Sequence, residues 1–304
     1  MKSICVFGVF VADLCFIADS IPEKGQTILG KKYIVGPGGK GSNQAIAAAR
    51  LGGKVNFITK LGKDQNAAMA IDLYKQVGIN TDSIIHDKNH TTGVAGIMIN
   101  EKTGDNAINI VSGAAGTLVE KDIDNNIEFL KKSEIFLTQL ETPYDVTSYA
   151  LRKAKEFGCQ TIFNPAPASK IEIEDFNNID FFTPNENEAG YYLNQKIETE
   201  KDIENASSEL INKGVKNVII TLGSKGAFFR SQNESFFIKA LKLKDDVIDT
   251  TGAGDAFNGA LSYALSKNFN TKEAIVFSNK VAGISTTKLG AANSMPTKIE
   301  VEKY

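Results

Sequence analysis

"VNFITKLGKDQNAAMAIDLYKQVG" (residues 55–78) joins a run rich in β-branched and aromatic residues to a stretch whose apolar residues recur at three- and four-residue spacing and which closes on glycine. The first half has the composition of a short buried strand, and the second has the period of an amphipathic helix. The same couplet recurs along the chain. "ICVFGVF" from Ile4, "EIFLTQLE" from Glu134, "QTIFNPA" from Gln160, "DFFTPNE" from Asp180 and "NVIITLG" from Asn217 read as strands. "SNQAIAAARLG" from Ser42, "DVTSYALRKAKEFG" from Asp145 and "ENASSELINKGV" from Glu204 read as helices. Strands that alternate with helices are joined by crossovers, so the expected fold is α/β, with a mainly parallel sheet covered on both faces.

Two segments break the alternation. Residues 15–35 and 91–111 hold strand-like runs joined by turn residues, Pro22 and Gly25 in one and Gly104 and Asp105 in the other, with no helix between. Each reads as a β-hairpin within a single domain spanning 1–304, and the two either build a small second sheet inserted as a lid or are surface hairpins with no joint role. Ala95 and Ile97 would alternate toward one face of such a lid, over the substrate. A lid with open strand edges and apolar faces also predicts a homodimer paired lid to lid.

Length and composition agree with one large globular domain. The 304 residues are 42% hydrophobic, and 34 Lys plus Arg face 36 Asp plus Glu, with no basic block to attract a phosphate backbone, so nucleic acid is not an expected partner. Asp13 interrupts the N-terminal apolar run, and no run reaches membrane-spanning length; the expected location is the cytoplasm. The three cysteines, Cys5, Cys15 and Cys159, are an odd number, and Cys5 and Cys159 fall in or beside expected core elements, which predicts reduced, packed thiols without chemistry. The two histidines, His86 and His90, lie in a polar stretch with no further metal ligands at suitable spacing.

Ligands of open α/β sheets bind beyond the carboxyl ends of the strands. Those positions are unusually polar here: Asp13, "GPGGKGSN" from Gly36, Glu141, Asn164, "NENE" from Asn185, Gly223, and "VIDTTGAGDAFNGAL" from Val247. In the last of these, Asp249 is expected to end a strand. Thr250 to Gly254 would form a tight turn, and Asp255 would stand on the first turn of a helix. Free N–H groups and the helix dipole would face an anion there, and a carboxylate beside an anion can take a proton from an attacking nucleophile. Read alone, the same pattern also suits an aspartate cap on a glycine turn. Neither the P-loop pattern nor a dinucleotide fingerprint is present. Gly36, Gly38, Gly39 and Gly41 around Lys40 make a second glycine loop ahead of a helix, and Asn43 there offers both a donor and an acceptor to hydroxyl groups.

The pair "GPGGKGSNQA" and "DTTGAGDAFNGAL" resembles the two signature stretches of the ribokinase family of carbohydrate kinases. The likeness extends through "FGVFVAD", "PEKGQTI", "TKLGKD", "QLETP", "NPAPA", "TPNENEA" and "TLGSKGA", in the family's order, and is strongest to the branch that phosphorylates ribose. It implies a three-layer α/β sandwich and ATP-dependent transfer to the primary hydroxyl of D-ribose, giving ribose 5-phosphate. Alternatives are a kinase of another pentose, a hexose or a nucleoside, or a sugar-binding regulator without catalysis. By the same resemblance Asp255 is the general base and Gly252, Ala253 and Gly254 the anion hole. Asp13, Gly39, Lys40, Asn43, Glu141, Ala95 and Ile97 surround the sugar. Asn185, Thr221, Gly223, Gly226, Gly254 and Asn279 take the nucleotide, and Glu188 holds Mg2+ through water. Asp249, Thr251, Ser285, Lys288, Gly290 and Ser294 hold a monovalent cation such as K+. One departure stands out: Val11 occupies a position where ribokinases commonly carry Asn, which leaves the identity of the sugar open.

Overall fold

The computed structural model describes residues 2–304. Thirteen strands are assigned among them: β1 Ser3–Phe7, β2 Val11–Ala18, β3 Lys32–Gly38, β4 Lys54–Leu61, β5 Ile84–His86, β6 Thr92–Asn100, β7 Asn106–Gly113, β8 Ile135–Thr138, β9 Gln160–Phe163, β10 Phe181–Phe182, β11 Asn217–Thr221, β12 Ala227–Ser231 and β13 Ser235–Ile238. The helices are α1 Lys40–Arg50, α2 Gln65–Val77, α3 Glu120–Asn125, α4 Ile127–Lys131, α5 Tyr144–Glu156, α6 Glu186–Leu193, α7 Glu200–Asn212, α8 Ala253–Ser266, α9 Thr271–Ser285 and α10 Lys298–Lys303.

Nine strands form the central sheet in the order β13-β12-β11-β10-β9-β8-β1-β4-β5, parallel except for the β12–β13 edge. Its strands are apolar on both faces because both faces are covered. In β1, Ile4 and Val6 pack with α1, α2, α8 and α9, while Cys5 and Phe7 pack with α5 and α7. The result is the three-layer α/β architecture that the strand–helix alternation predicts. The chain moves outward from β1 in one direction through β4 and β5 and in the other through β8 to β11, so the switch in strand order lies between β1 and β8. A ligand crevice opens at such a switch.

The second sheet has the order β3-β2-β6-β7. The pairs β2–β3 and β6–β7 are antiparallel, and β2–β6 runs parallel with Asp13 opposite Ala95 and Cys15 opposite Ile97. Its strands reach further than the segments 15–35 and 91–111. β2 begins at Val11, so Asp13 lies within a strand of this sheet and not at the end of β1. The β2–β3 link is also no tight hairpin: residues 19–31 form an irregular loop in which Pro22 and Gly25 make only a local turn. The β6–β7 link is short, with Asn100 accepting from the N–H groups of Lys102 and Thr103.

A further correction concerns Asp249. It ends no strand, because residues 239–252 lack helix and strand, and the N–H groups of Ile248 and Asp249 donate to the Thr286 carbonyl at the end of α9. All three cysteines are free thiols. No helix of the described residues is long and apolar enough to cross a membrane.

Candidate active site

Two helix N-termini meet over the carboxyl ends of the central strands. Gly39 caps α1 with φ 87, and a Cβ there would lie 2.7 Å from the Val9 carbonyl oxygen and 2.9 Å from the Val11 nitrogen. Only glycine combines that conformation with that approach. The start of α1 is thereby pressed against the β1–β2 connection, and its next residues face the crevice. Gly252 caps α8 with φ 77, which turns the chain into the helix whose third residue is Asp255.

Asp255 is held from α1. Asn43 Nδ2 donates to Asp255 Oδ2 (2.9 Å) and Gln44 Nε2 to Asp255 Oδ1 (2.9 Å), all three side chains being buried. A carboxylate has about four acceptor positions, so two amide donors leave room for a hydroxyl proton. Asn43 Oδ1 is buried without a partner, an acceptor that a ligand hydroxyl would satisfy. Glu141 lies three residues beyond β8 and accepts from the Lys40 N–H (2.8 Å). Burial pushes its carboxyl up to about 7 against the pull of the Lys40 charge, and burial lifts Asp13 to about 6. The negative charge of Asp255 holds the Lys40 ammonium above the usual lysine range, against the cost of burying it.

A cavity of about 180 Å3 opens directly onto Asp255. Its lining includes Lys40, Asn164, Thr183, Asn185, Glu188, Thr221, Thr250, Asn258 and the turn Gly252 to Gly254. A larger cleft of about 440 Å3 lies elsewhere, between Tyr263, Phe269, Phe277 and Val301 near the far end of α8. Its walls are mainly aromatic and aliphatic, and two of its charges, Lys298 and Glu302, pair with each other at 3.6 Å. The smaller cavity is the one with convergent polar groups and a lining carboxyl, Glu188, that burial holds above its usual range, and these are the marks of a reactive site.

The expected residues gather here unevenly. The cavity takes in Lys40, Asn185, Glu188, Thr221 and Gly252 to Asp255, with Asn43 behind Asp255. Of the three N–H groups expected in the anion hole, that of Ala253 already donates to the Thr250 carbonyl (3.2 Å), which leaves those of Gly252 and Gly254. Asn185 and Glu188 form a reciprocal capping box on α6, Oδ1 accepting from the Glu188 N–H (2.8 Å) and Oε2 from the Asn185 N–H (2.9 Å). Glu188 is nonetheless half-buried beside the cavity, and burial raises its carboxyl above the usual range. Gly223, Gly226 and Asn279 lie outside the cavity lining. Gly226 and Asn279 meet at the end of β13, where a Cβ on Gly226 would stand 2.0 Å from the Ile238 carbonyl oxygen that accepts from Asn279 (3.5 Å). Val11 is buried on the face of β2 that carries Asp13 and offers no hydrogen bond.

The group around Asp249 is compact. Its Oδ1 accepts from the Thr251 N–H (2.9 Å) and its Oδ2 from the Gly290 N–H (2.8 Å), which ties residues 249–251 to 288–290. Burial pushes this carboxyl up, but the bonds from Thr251 and Gly290 outweigh it and leave it below the usual range. Ser294 is fully buried and donates to the Ala291 carbonyl (2.7 Å), and the Ser285 carbonyl accepts from Lys288.

Sequence reading missed Gln44, Gln139, Thr183 and Asn258. Asn258 stands one turn after Asp255, so helical spacing was an available signal for it, whereas Gln44, next to Asn43, lies about 100° round the helix and has no such signal. Gln139 and Thr183 open the stretches "QLETP" and "TPNENEA", where each looks like an ordinary strand-end residue.

The chain is similar over its full length to known kinases. The model of the "pfkB family carbohydrate kinase" matches residues 1–298. The ribokinase of Haemophilus influenzae is 37% identical over 303 residues, covering 100% of this chain and 98% of that protein. The deoxyribokinase of Salmonella typhi is 33% identical over 302 residues, covering 99% of this chain and 98% of that protein. Among solved structures, Thermotoga maritima ribokinase superposes with a TM-score of 0.90 at 37% identity, covering 100% of this chain and 99% of that one. Arabidopsis thaliana ribokinase, complexed with ribose and ATP, gives 0.92 at 29% identity, covering 99% and 98%. With a family model matched over nearly every residue and a carboxylate set between two helix N-termini at the sheet's switch point, this chain belongs to the pfkB family of carbohydrate kinases.

Proposed function

We propose that this enzyme transfers the γ-phosphoryl group of ATP to the primary hydroxyl of D-ribose, giving ribose 5-phosphate and ADP. The observation that carries the reading is Asp255, buried, gripped by two amides and facing a polar cavity at the N-terminus of α8. The hydroxyl oxygen bonds to the γ-phosphorus, its proton passes to Asp255, and the bond to the β-phosphate oxygen breaks. The free N–H groups of Gly252 and Gly254 and the α8 dipole meet the negative charge of the transferring group. Asp13, Lys40, Asn43 and Glu141 orient the sugar, with Gly39 giving its hydroxyls close access to backbone. Thr221, Gly223, Gly226 and Asn279 border the nucleotide. Phosphoryl transfer depends mainly on positioning and charge neutralisation, and this set supplies both.

A divalent ion fits as cargo of the nucleotide. No group of three metal-ligating side chains is present among the described residues. Mg2+ characteristically keeps water and phosphate ligands, and Glu188 would hold it through one of those waters. Bound with ATP, it would offset phosphate charge. A monovalent cation such as K+ fits the Asp249 group: both carboxylate oxygens retain acceptor capacity, and the carbonyls of Thr251, Lys288 and Gly290 accept no hydrogen bond among the described residues. There it would stiffen the turn before α8. The four-stranded sheet serves as the lid, with Ala95 and Ile97 on its sugar-facing side, excluding water from the transfer.

A second reading has its own observation. Val11 beside Asp13 is apolar and buried, which suits a pentose lacking one of ribose's hydroxyls, and one relative is a deoxyribokinase. ADP release measured on D-ribose, 2-deoxy-D-ribose, hexoses and nucleosides separates the two. The first reading expects the highest kcat/KM on ribose; a higher value on deoxyribose installs the second, and no turnover on any sugar removes both. Repeating the assay with K+ replaced by a bulky organic cation at equal ionic strength should slow the enzyme strongly, and equal rates would remove the cation.

A further inference from the structure

Beneath the site lies a continuous buried chain of amides. Gln139 Nε2 donates to Gln44 Oε1 (2.6 Å), and Gln44 Nε2 donates both to Asp255 Oδ1 (2.9 Å) and to Asn164 Oδ1 (3.1 Å). Asn164 Nδ2 donates to the Thr183 carbonyl (3.1 Å), Thr183 Oγ1 to Asn258 Oδ1 (2.6 Å), and Asn258 Nδ2 to the Gly254 carbonyl (2.9 Å). The circuit therefore leaves the catalytic carboxylate, runs past the ends of β8, β9 and β10, and returns to the turn of the anion hole. Gln44 is fully buried, and Gln139, Thr183 and Asn258 are nearly so.

The direction of every bond follows from its ends. An ionised carboxylate and a backbone carbonyl only accept, so Gln44 must present nitrogen to Asp255 and oxygen to Gln139, and Asn164 must present nitrogen to Thr183. Neither amide can rotate by half a turn without leaving buried partners unsatisfied. The fold also makes room for the anchor. A Cβ on Gly8 would stand 2.3 Å from Gln139 Oε1, so the glycine in "FGVF" is the space Gln139 occupies.

We infer that Gln44, locked by Gln139, is a positioning residue that fixes the rotation of the Asp255 carboxylate relative to the anion-hole turn. Gln44 does not line the cavity, and its side chain bonds only Gln139, Asn164 and Asp255, so it acts through Asp255. This rests on Asp255 taking the hydroxyl proton. A misdirected carboxylate loses alignment only in the reaction step, and misplacement by about 1 Å can cost on the order of a hundredfold in rate.

The test is a double-mutant cycle on the full-length enzyme. Gln44→Met keeps the bulk and removes both the donor and the acceptor. It is expected to lower kcat about ten- to a hundredfold and to leave KM for sugar and ATP within about twofold. In an Asp255→Asn background, where no base remains to be aimed, the same substitution should change kcat by less than about twofold, a non-additivity that general loosening of the fold does not produce. Gln139→Met, which removes only the lock, should give a smaller kcat loss that also vanishes in that background, and it decides the matter if Gln44→Met fails to fold. Unchanged kcat, a loss carried by KM, or an equal loss in both backgrounds overturns the inference. If Asp255→Asn alone turns over at the parental rate, the base assignment fails and this role with it.

Discussion

The carboxyls of Glu141 and Asp13 carry the pH behaviour expected of the site. Glu141 is lifted by burial from an ordinary 4.5 to about 7, and Asp13 from 3.8 to about 6. A protonated carboxyl has lost acceptor capacity for a sugar hydroxyl, so KM for sugar should rise as pH falls through 7 and then 6, and Glu141→Gln should remove the upper part of that rise. Stability moves the other way. Between pH 4.5 and about 7 the folded protein binds a proton at Glu141 that the unfolded chain has released, so this group's contribution to stability is lost as pH rises through that window. Thermal melts with and without sugar check both signs: sugar-induced stabilisation should grow from pH 5.5 to 8. A flat sugar KM across that range would show that Glu141 does not bind substrate. The sequence marks Glu141 and Asp13 as strand-end carboxylates, but their shifted acidity comes from burial, which no local pattern records.

At the scale of elements, the site depends on how closely α1 approaches α8. Gly259 faces α1, and a Cβ there would lie 2.5 Å from Ala47 Cβ and 2.5 Å from the Gln44 carbonyl oxygen. Helix propensity alone predicts that Gly259→Ala stabilises by about 1 kcal/mol. The clash is with the backbone of a neighbouring helix, which cannot swing aside, and overpacking of that kind costs typically about 1–3 kcal/mol. The clash should win: a lower melting temperature, together with a fall in kcat, because moving α1 outward withdraws Asn43 and Gln44 from Asp255. A rise in melting temperature at unchanged kcat would refute this. The helix reads plainly in "DAFNGALSYAL", and so does a glycine within it; the reason for the glycine lies on another element 212 positions away in the chain, as the Asn43–Asp255 bond is.

For the whole molecule, the four-stranded sheet leaves an apolar outer face. Phe16, Tyr33, Val35 and Met98 are all more than 40% exposed, and the rings of Phe16 and Tyr33 lie 5.1 Å apart. They come from β2, β3 and β6 and fall on the side opposite Asp13, Ala95 and Ile97. A second copy of the chain would bury this patch by presenting the same one, as two-fold interfaces do. Sedimentation velocity should show a dimer for the parent protein and a monomer for Phe16→Asp with Met98→Asp. A parent that remains monomeric at high concentration would refute the pairing.

The linear chain by itself determined the α/β alternation, the two helix-free segments and most of the polar strand-end residues. Each of these depends on local periodicity, on turn chemistry or on motifs carried within a few residues. It could not show that β2 starts at Val11, that Asp249 follows no strand, or that Ala253 has already committed its N–H group, because a strand is defined by its partner and a donor by the acceptor the fold brings to it. The amide circuit through Gln139, Gln44, Asn164, Thr183 and Asn258 was beyond the same reach. Its members are distant in sequence, and only the convergence of β8, β9, β10, α1 and α8 at the switch point of the sheet brings their donors and acceptors together, with Gln139 Oε1 alone among them left buried without a partner.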